Sequence, residues 1–288
     1  MTATAPSPSP APTPTLDQLV AAADLPSLPE VVAYIIHALH DDNADLETLA
    51  RHVNSDPAIV ARVLTAANAV SLGLSKHMHS IGQAFMLLGI DRIVNLILAS
   101  SLIYRYNECS SGFSAPLFWR HSLGVAVCSR ALAEQTGTAH SELAFIGGLL
   151  HDIGRLLMYT SSPVHYLEAL DCRKRDDIRL IVAEREVFGY DHCDAGQALA
   201  SNWKLPPDIV EAIAAHHDPD EFGNEICDLV HIGECLSHAL DLGEIAINRV
   251  PDLSELACAN IGLSWPKFAS RFAEIEARFD DFRLIMGL

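Results

Sequence analysis

Two dipeptides carry most of the chemistry this sequence offers. His151-Asp152 closes an apolar helical stretch just before Gly154, and His216-His217 closes another. His121 sits inside an otherwise apolar run, His192 follows Asp191 where a helix begins, and Glu234 lies in the apolar stretch after the second pair. Imidazole and carboxylate donors in this mixture suit Zn, Fe, Mn or Ni, and two such ions activate water between them. Adjacent residues on a helix point about 100° apart, so each pair serves one site only at a helix end or where two metals are held. The negative end of the helix dipole also favours a cation there. Simpler roles compete with ligation: Asp152 as a cap, His216-His217 as partners of the dipole, His121 and His192 as core or surface histidines, Glu234 as a structural acid. Arg155 reads either as a phosphate-binding group or as a neutralising partner for Asp152 or the helix end.

These residues depend on helices for their placement. From Leu16 onward the apolar spacing is helical almost throughout, with little alternation of period two, so the expected fold class is all-α. Asp45 to Val53 reads as a short amphipathic helix, and Ser55-Asp56-Pro57 starts another that runs from Ala58 to Asn68. Further helices are expected from Ser80 to Gly89 and from Asp91 to Tyr106. In the second half they fall at Leu117 to Thr136, Ser141 to Ile153, Ile181 to Val187, Ala195 to Trp203 and Pro207 to His217, with residues 225–242 and 265–286 completing the set. Asp171 to Arg179 reads as a solvated connection. The stretch from Cys109 to Pro116 is the best internal linker. It separates an N-terminal helical bundle, 16–108, from a second helical region, 109–288, that carries every candidate ligand. Residues 1–15, with their alternating prolines, are expected to be a disordered, extended tail.

Composition bounds the partners. The chain has 288 residues, half of them hydrophobic and 19% charged, which excludes a mostly disordered protein. With 19 Lys and Arg against 37 Asp and Glu, the formal charge is −18. Direct contact with nucleic acid or an anionic membrane is not expected, because that affinity comes from clustered basic residues. Leu46 to Asn68 has the outline of a helix-turn-helix, but Asp41, Asp42, Asp45, Glu47 and Asp56 outnumber Arg51 and Arg62. The N-terminus lacks a secretory signal, and Asp91, Arg92 and Asn95 interrupt the longest apolar run. Seven cysteines without a CxxC motif fit reduced, buried thiols and a cytoplasmic location. Cys193 and Cys235 are expected to be buried fillers. The remaining histidines, His77 and His79 among them, are expected at the surface.

The order His121, His151-Asp152, His192, His216-His217 and an acid at 234 matches the ligand order of the HD superfamily of metal-dependent phosphohydrolases. The surrounding text is more specific. Leu25-Pro26-Ser27-Leu28-Pro29-Glu30, Ser55-Asp56-Pro57-Ala58, Ala66-Ala67-Asn68 and Ile81 to Gly89 lie in the first half. Phe118-Trp119-Arg120-His121-Ser122, Gly147 to Gly154, Gly189-Tyr190-Asp191-His192, Trp203-Lys204-Leu205-Pro206 and His216-His217-Asp218-Pro219 follow. Together, from about residue 20 to 240, they resemble the HDOD domain, a family of bacterial signalling and regulatory modules related to HD hydrolases.

The resemblance implies an all-helical fold with an N-terminal helical subdomain beside an HD-like one, and a hydrolase site lost in part. It also implies metal ligands at His121, His151, Asp152, His192, His216, His217 and Glu234, the last aligned with an Asp. Relative to the HD-GYP pattern that hydrolyses cyclic di-GMP, no Gly-Tyr-Pro follows His192, Arg155 stands in place of Lys, and Leu117 replaces a Glu one turn before His121. The expected function is therefore a cytoplasmic bacterial regulator acting through contacts with signalling proteins, with one or two divalent ions (Fe, Mn, Zn or Ni) at a retained site. The competing expectation is a metal-dependent phosphohydrolase acting on a nucleotide or cyclic dinucleotide, with Asp152 and Arg155 in catalysis.

Overall fold

A computed structural model describes residues 12–22, 28, 30–38, 46–54, 57–70, 79–105, 112–138, 140–221, 224–243 and 250–288. Among these residues the structure is all-α, without a strand. The first helices are α1 (Leu16–Ala22), α2 (Glu30–Ala38), α3 (Leu46–Asn54), α4 (Pro57–Val70), α5 (Ile81–Leu88) and α6 (Ile90–Arg105). The long α7 (Ala115–Thr136) is followed by α8 (Ser141–Leu150), α9 (Ile153–Ser161), α10 (Pro163–Asp176), α11 (Leu180–Phe188), α12 (His192–Asn202) and α13 (Pro207–Ala215). A short 3₁₀ turn, Pro219–Glu221, then leads to α14 (Glu225–Ala239), α15 (Glu255–Asn260), α16 (Trp265–Ala269) and α17 (Phe272–Met286).

The core follows from helix faces that are apolar nearly all round. Helix α7 buries fifteen residues and packs against α8, α14 and α17. Ser114 caps its start and Gly137, in the left-handed region, ends it. One continuous apolar cluster runs from Leu19 to Phe279, and α17 touches α4 and α6 as well as α7. No helix among the described residues is long and apolar enough to cross a membrane.

The boundaries of several elements differ from the sequence expectation. The stretch expected as one helix from Ser141 to Ile153 ends at Leu150, turns at His151-Asp152 and restarts at Ile153. Asp171 to Arg179 is for the most part the end of α10. That helix starts at Pro163, buries His165, Tyr166, Ala169 and Cys172 on one face, and carries Arg173, Lys174 and Arg175 in its last turn, where the dipole favours cations. The C-terminal stretch is two helices, α16 and α17, parted at Ser270 and Arg271. Residues 1–11 of the expected tail and 106–111 of the expected linker region lie outside the described residues. Residues 12–15 have no regular structure but are anchored: Tyr190 Oη donates to the Pro14 carbonyl at 2.9 Å and Thr13 Oγ1 to that of Val187 at 3.4 Å. Among the described cysteines, all free, five are buried and Cys258 is half-buried.

Helices α9 and α12 approach at a pair of glycines. A Cβ on Gly154 would lie 1.9 Å from the His192 carbonyl oxygen and 2.6 Å from the Gly196 nitrogen. Only hydrogen fits between these backbones. This close contact brings the start of α9, with Asp152 and Arg155, against the start of α12, with His192.

Candidate functional site

Five segments converge on Asp152. Its carboxylate Oδ2 lies 3.7 Å from His151 Nε2, 3.9 Å from His121 Nε2 and 2.6 Å from the Arg155 guanidinium. Its Oδ1 lies 3.3 Å from His192 Nε2 and 3.9 Å from His216 Nε2. His217 joins through its Nε2, 3.1 Å from His192 Nε2, and through its Nδ1, 3.6 Å from Glu234 Oε2. All seven candidate residues are therefore brought together, and all except His217 are buried. Asp152 occupies the position before α9 yet makes no capping bond with its side chain. The carboxylate points to the imidazoles instead.

The imidazoles are oriented by partners behind them. His151 donates from Nδ1 to the Gly148 carbonyl at 2.7 Å, and His216 from Nδ1 to the Ile213 carbonyl at 3.0 Å. Each bond fixes the proton on Nδ1 and leaves Nε2 with a lone pair, and in both residues Nε2 is buried without a hydrogen-bond partner. Glu184 orients His192 likewise, accepting from its Nδ1 at 2.6 Å and from its backbone N–H at 3.0 Å, but it also keeps that imidazole charged, so a cation would displace the proton on its Nε2. Buried lone pairs facing one carboxylate, each backed by a fixed acceptor, are the arrangement in which a metal is bound. The residues present fit a divalent ion.

Burial drives the electrostatics. It lowers His121, His151, His216, His217 and His238 below the ordinary value of 6.5, and neighbouring imidazoles add to the effect. His192 is the exception, because Glu184 together with Cys193 outweighs burial and raises it well above 6.5. Burial alone would raise Asp152, but Arg155 and the imidazoles of His151, His192 and His121 hold it well below the usual carboxylate range. Glu234 is pushed up to about 8 by burial and by Asp152. A cation bound beside Glu234 would displace that proton.

A pH dependence follows for the metal-free protein. Below 6.5 the unfolded chain takes up protons on the five lowered histidines that the folded chain does not, so folding stability falls as the pH drops through that range, opposed by His192 alone among these six. Urea unfolding in chelator is expected to show a midpoint that declines steadily from pH 7 to pH 5. A flat profile would refute the assignment of these histidines as neutral.

Several residues here escaped the sequence reading. Glu184 carries no motif; it stands in a charged run with Arg185 and Glu186, both exposed, and only its place on the buried face of α11 sets it apart. His165 and His231 are buried and only 9% of the His238 side chain is exposed, which corrects the expectation that the remaining histidines lie at the surface. His231 donates to the His216 carbonyl at 2.7 Å and accepts from the Ser254 N–H at 3.1 Å, tying residues near α15 to the second histidine pair. Arg155 has both a partner and a support, since its Nε donates to Tyr166 Oη at 3.0 Å. Cys193 lies 3.9 Å from His216 Nδ1, but burial pushes its thiol up to about 11, which keeps it protonated.

Comparisons with known proteins bear on the fold and the family. A family model described as the HDOD domain matches residues 25–219, which include every candidate ligand except Glu234. The fold is similar to that of an HDOD domain protein of unknown function from Geobacter sulfurreducens, with a TM-score of 0.78 at 24% identity, covering 93% of this chain and 99% of that one. It is also similar to a proposed signal transduction protein from Marinobacter aquaeolei VT8, with a TM-score of 0.75 at 25% identity over 94% of this chain and 60% of that one. Ribonuclease Y of Thermus thermophilus is 32% identical over 155 residues, 54% of this chain and 22% of that protein. The chain spans well under half the length of the first curated relatives it matches. With the family model matched over about two thirds of its length, the chain belongs to the HDOD domain family.

Proposed function

We propose that the protein is a cytoplasmic bacterial regulator that acts through contacts with signalling proteins, and that its helical second half holds one or two divalent first-row ions. The observation that carries the metal assignment is the set of buried imidazoles, His151, His192 and His216, each backed at Nδ1 and aimed by Nε2 at Asp152. His121, His217 and Glu234 complete the donor set. A bound ion would supply Lewis acidity and positive charge at Asp152. The near-complete burial of these donors favours a closed, structural or regulatory ion, since catalytic sites keep an open position for substrate. In this reading an N-terminal subdomain, 16–108, and the HD-like subdomain, 109–288, are packed units whose outer faces meet the partner.

The test is elemental analysis of protein purified without chelator, beside the Asp152→Ala and His151→Ala variants. One or two equivalents are expected in the wild type, with a loss of tenfold or more in each variant. Absence of stoichiometric metal from the wild type would remove the assignment. For the regulatory role, affinity capture from the native host should return a reproducible partner, and deletion should alter a signalling phenotype; failure of both counts against it.

A phosphohydrolase is the second reading, favoured by Arg155. Its side chain is 21% exposed while its guanidinium holds Asp152, so it stands between the buried donors and solvent, where a phosphoryl oxygen would enter. Asp152, kept ionised, would orient the attacking water. Likeness to Ribonuclease Y over 54% of the chain supports the same chemistry. Metal-dependent cleavage of a nucleotide phosphoester that disappears in Asp152→Ala would make this reading the leading one.

A further inference from the structure

Helices α7 and α14 run antiparallel in a register fixed by two close approaches. A Cβ on Gly124 would lie 2.5 Å from Ser237 Oγ, and one on Gly233 would lie 2.2 Å from Ser129 Oγ. His121, one turn before Gly124 on α7, meets His238, the residue after Ser237 on α14, with ring centroids 5.0 Å apart. Glu234, one turn before His238 on the same face, lies with Oε1 3.9 Å from His238 Nε2. One ligand atom from each of His121, Glu234 and His238 falls within 4.8 Å of the other two, a separation that two metal bonds of about 2.1 Å nearly span. Within this group, His121 Nδ1 and Glu234 Oε2 are buried without a hydrogen-bond partner. Leu117, one turn before His121, has no donor to offer.

We propose that His238 is a metal ligand, completing with His121 and Glu234 a cation position at the seam of α7 and α14, beside the group formed by His192, Cys193, His216 and His217. The proposal rests on the metal-binding reading above and adds a residue to it. Two imidazoles and one carboxylate select a first-row transition ion such as Zn²⁺ or Fe²⁺ over Mg²⁺ or Ca²⁺. The position draws two of its three donors, Glu234 and His238, from α14, beyond the matched family segment.

The experiment is a calorimetric titration of the full-length, chelator-stripped protein with Zn²⁺, with Mg²⁺ as competitor, alongside His238→Gln, His238→Asp and His217→Gln. The wild type is expected to take two equivalents that excess Mg²⁺ does not displace. His238→Gln should weaken one of them at least tenfold and leave the other within twofold, while His217→Gln should weaken the other. His238→Asp keeps a donor and should retain both equivalents. A His238→Gln isotherm that superimposes on the wild type, or an equal loss in His238→Asp, overturns the proposal. A wild type that binds no Zn²⁺ overturns the underlying metal reading with it, whereas a silent His238→Gln beside a metal-free Asp152→Ala overturns the role of His238 alone.

Discussion

Replacing Gly154 by alanine is expected to destabilise the protein by about 3 kcal/mol or more, at the top of the range for overpacking, and to abolish metal binding at the site proposed above. The added Cβ would sit 1.9 Å from the His192 carbonyl oxygen and 2.8 Å from its carbonyl carbon. Both neighbours are backbone atoms, so no rotamer change relieves the clash. Relief requires α9 and α12 to separate, and their starts carry Asp152 and His192, whose Oδ1 to Nε2 distance of 3.3 Å is at the centre of the site. Metal content and urea unfolding should therefore change together. Gly82 is the control: it lies in α5, where an added Cβ would meet nothing within 4 Å, and it has no positive φ, so Gly82→Ala should be neutral or stabilising by up to about 1 kcal/mol. Equal effects at the two positions would show that the close approach of α9 and α12 does not limit stability.

The second large effect is expected at Glu184, which is fully buried and accepts two hydrogen bonds from His192. Glu184→Gln keeps the shape and one acceptor but removes the charge that makes His192 a basic, oriented donor. Loss of such a supporting partner typically costs about 10–100-fold in metal affinity, and that is the expected drop in Zn²⁺ binding. The pH dependence separates this from a simple folding defect. Because Glu184 raises His192 above 6.5, its stabilisation of the metal-free protein is fully present below 6.5 and is lost as the pH rises through the raised value. The destabilisation by Glu184→Gln should accordingly be greatest at acid pH and shrink on titration upward. A pH-independent difference, with metal affinity unchanged, would show that Glu184 does not govern His192.

Much of this site was legible in the residues themselves. The apolar periodicity around His121 and the Gly-rich text around His151-Asp152 mark helices and ligand pairs because both are local properties of a few adjacent positions. A helix end near His151-Asp152 was legible, but the immediate restart of the chain as α9 at Ile153 was not. The apolar pattern continues through it, and only the turn at His151-Asp152 lets both neighbouring side chains face one centre. Glu184 was missed because nothing within one turn separates it from its charged neighbours Arg185 and Glu186, and His231 and His238 because a spacing of one turn from Glu234 does not by itself tell a packed histidine from a ligand. Their roles are set by elements distant in sequence. His231 is held by Ser254, twenty-three residues away, and His238 faces His121 of α7, far upstream in the chain.

By itself, the sequence determined the all-α class and the order of the candidate ligands along the chain. Only the tertiary structure decided which histidines meet, which nitrogen of His151 and His216 is left bare, and which acids stand behind them. The physical reason is that periodicity encodes the face a residue occupies, whereas convergence depends on how closely two backbones approach. That distance is set here by the glycine contacts between α9 and α12 and between α7 and α14.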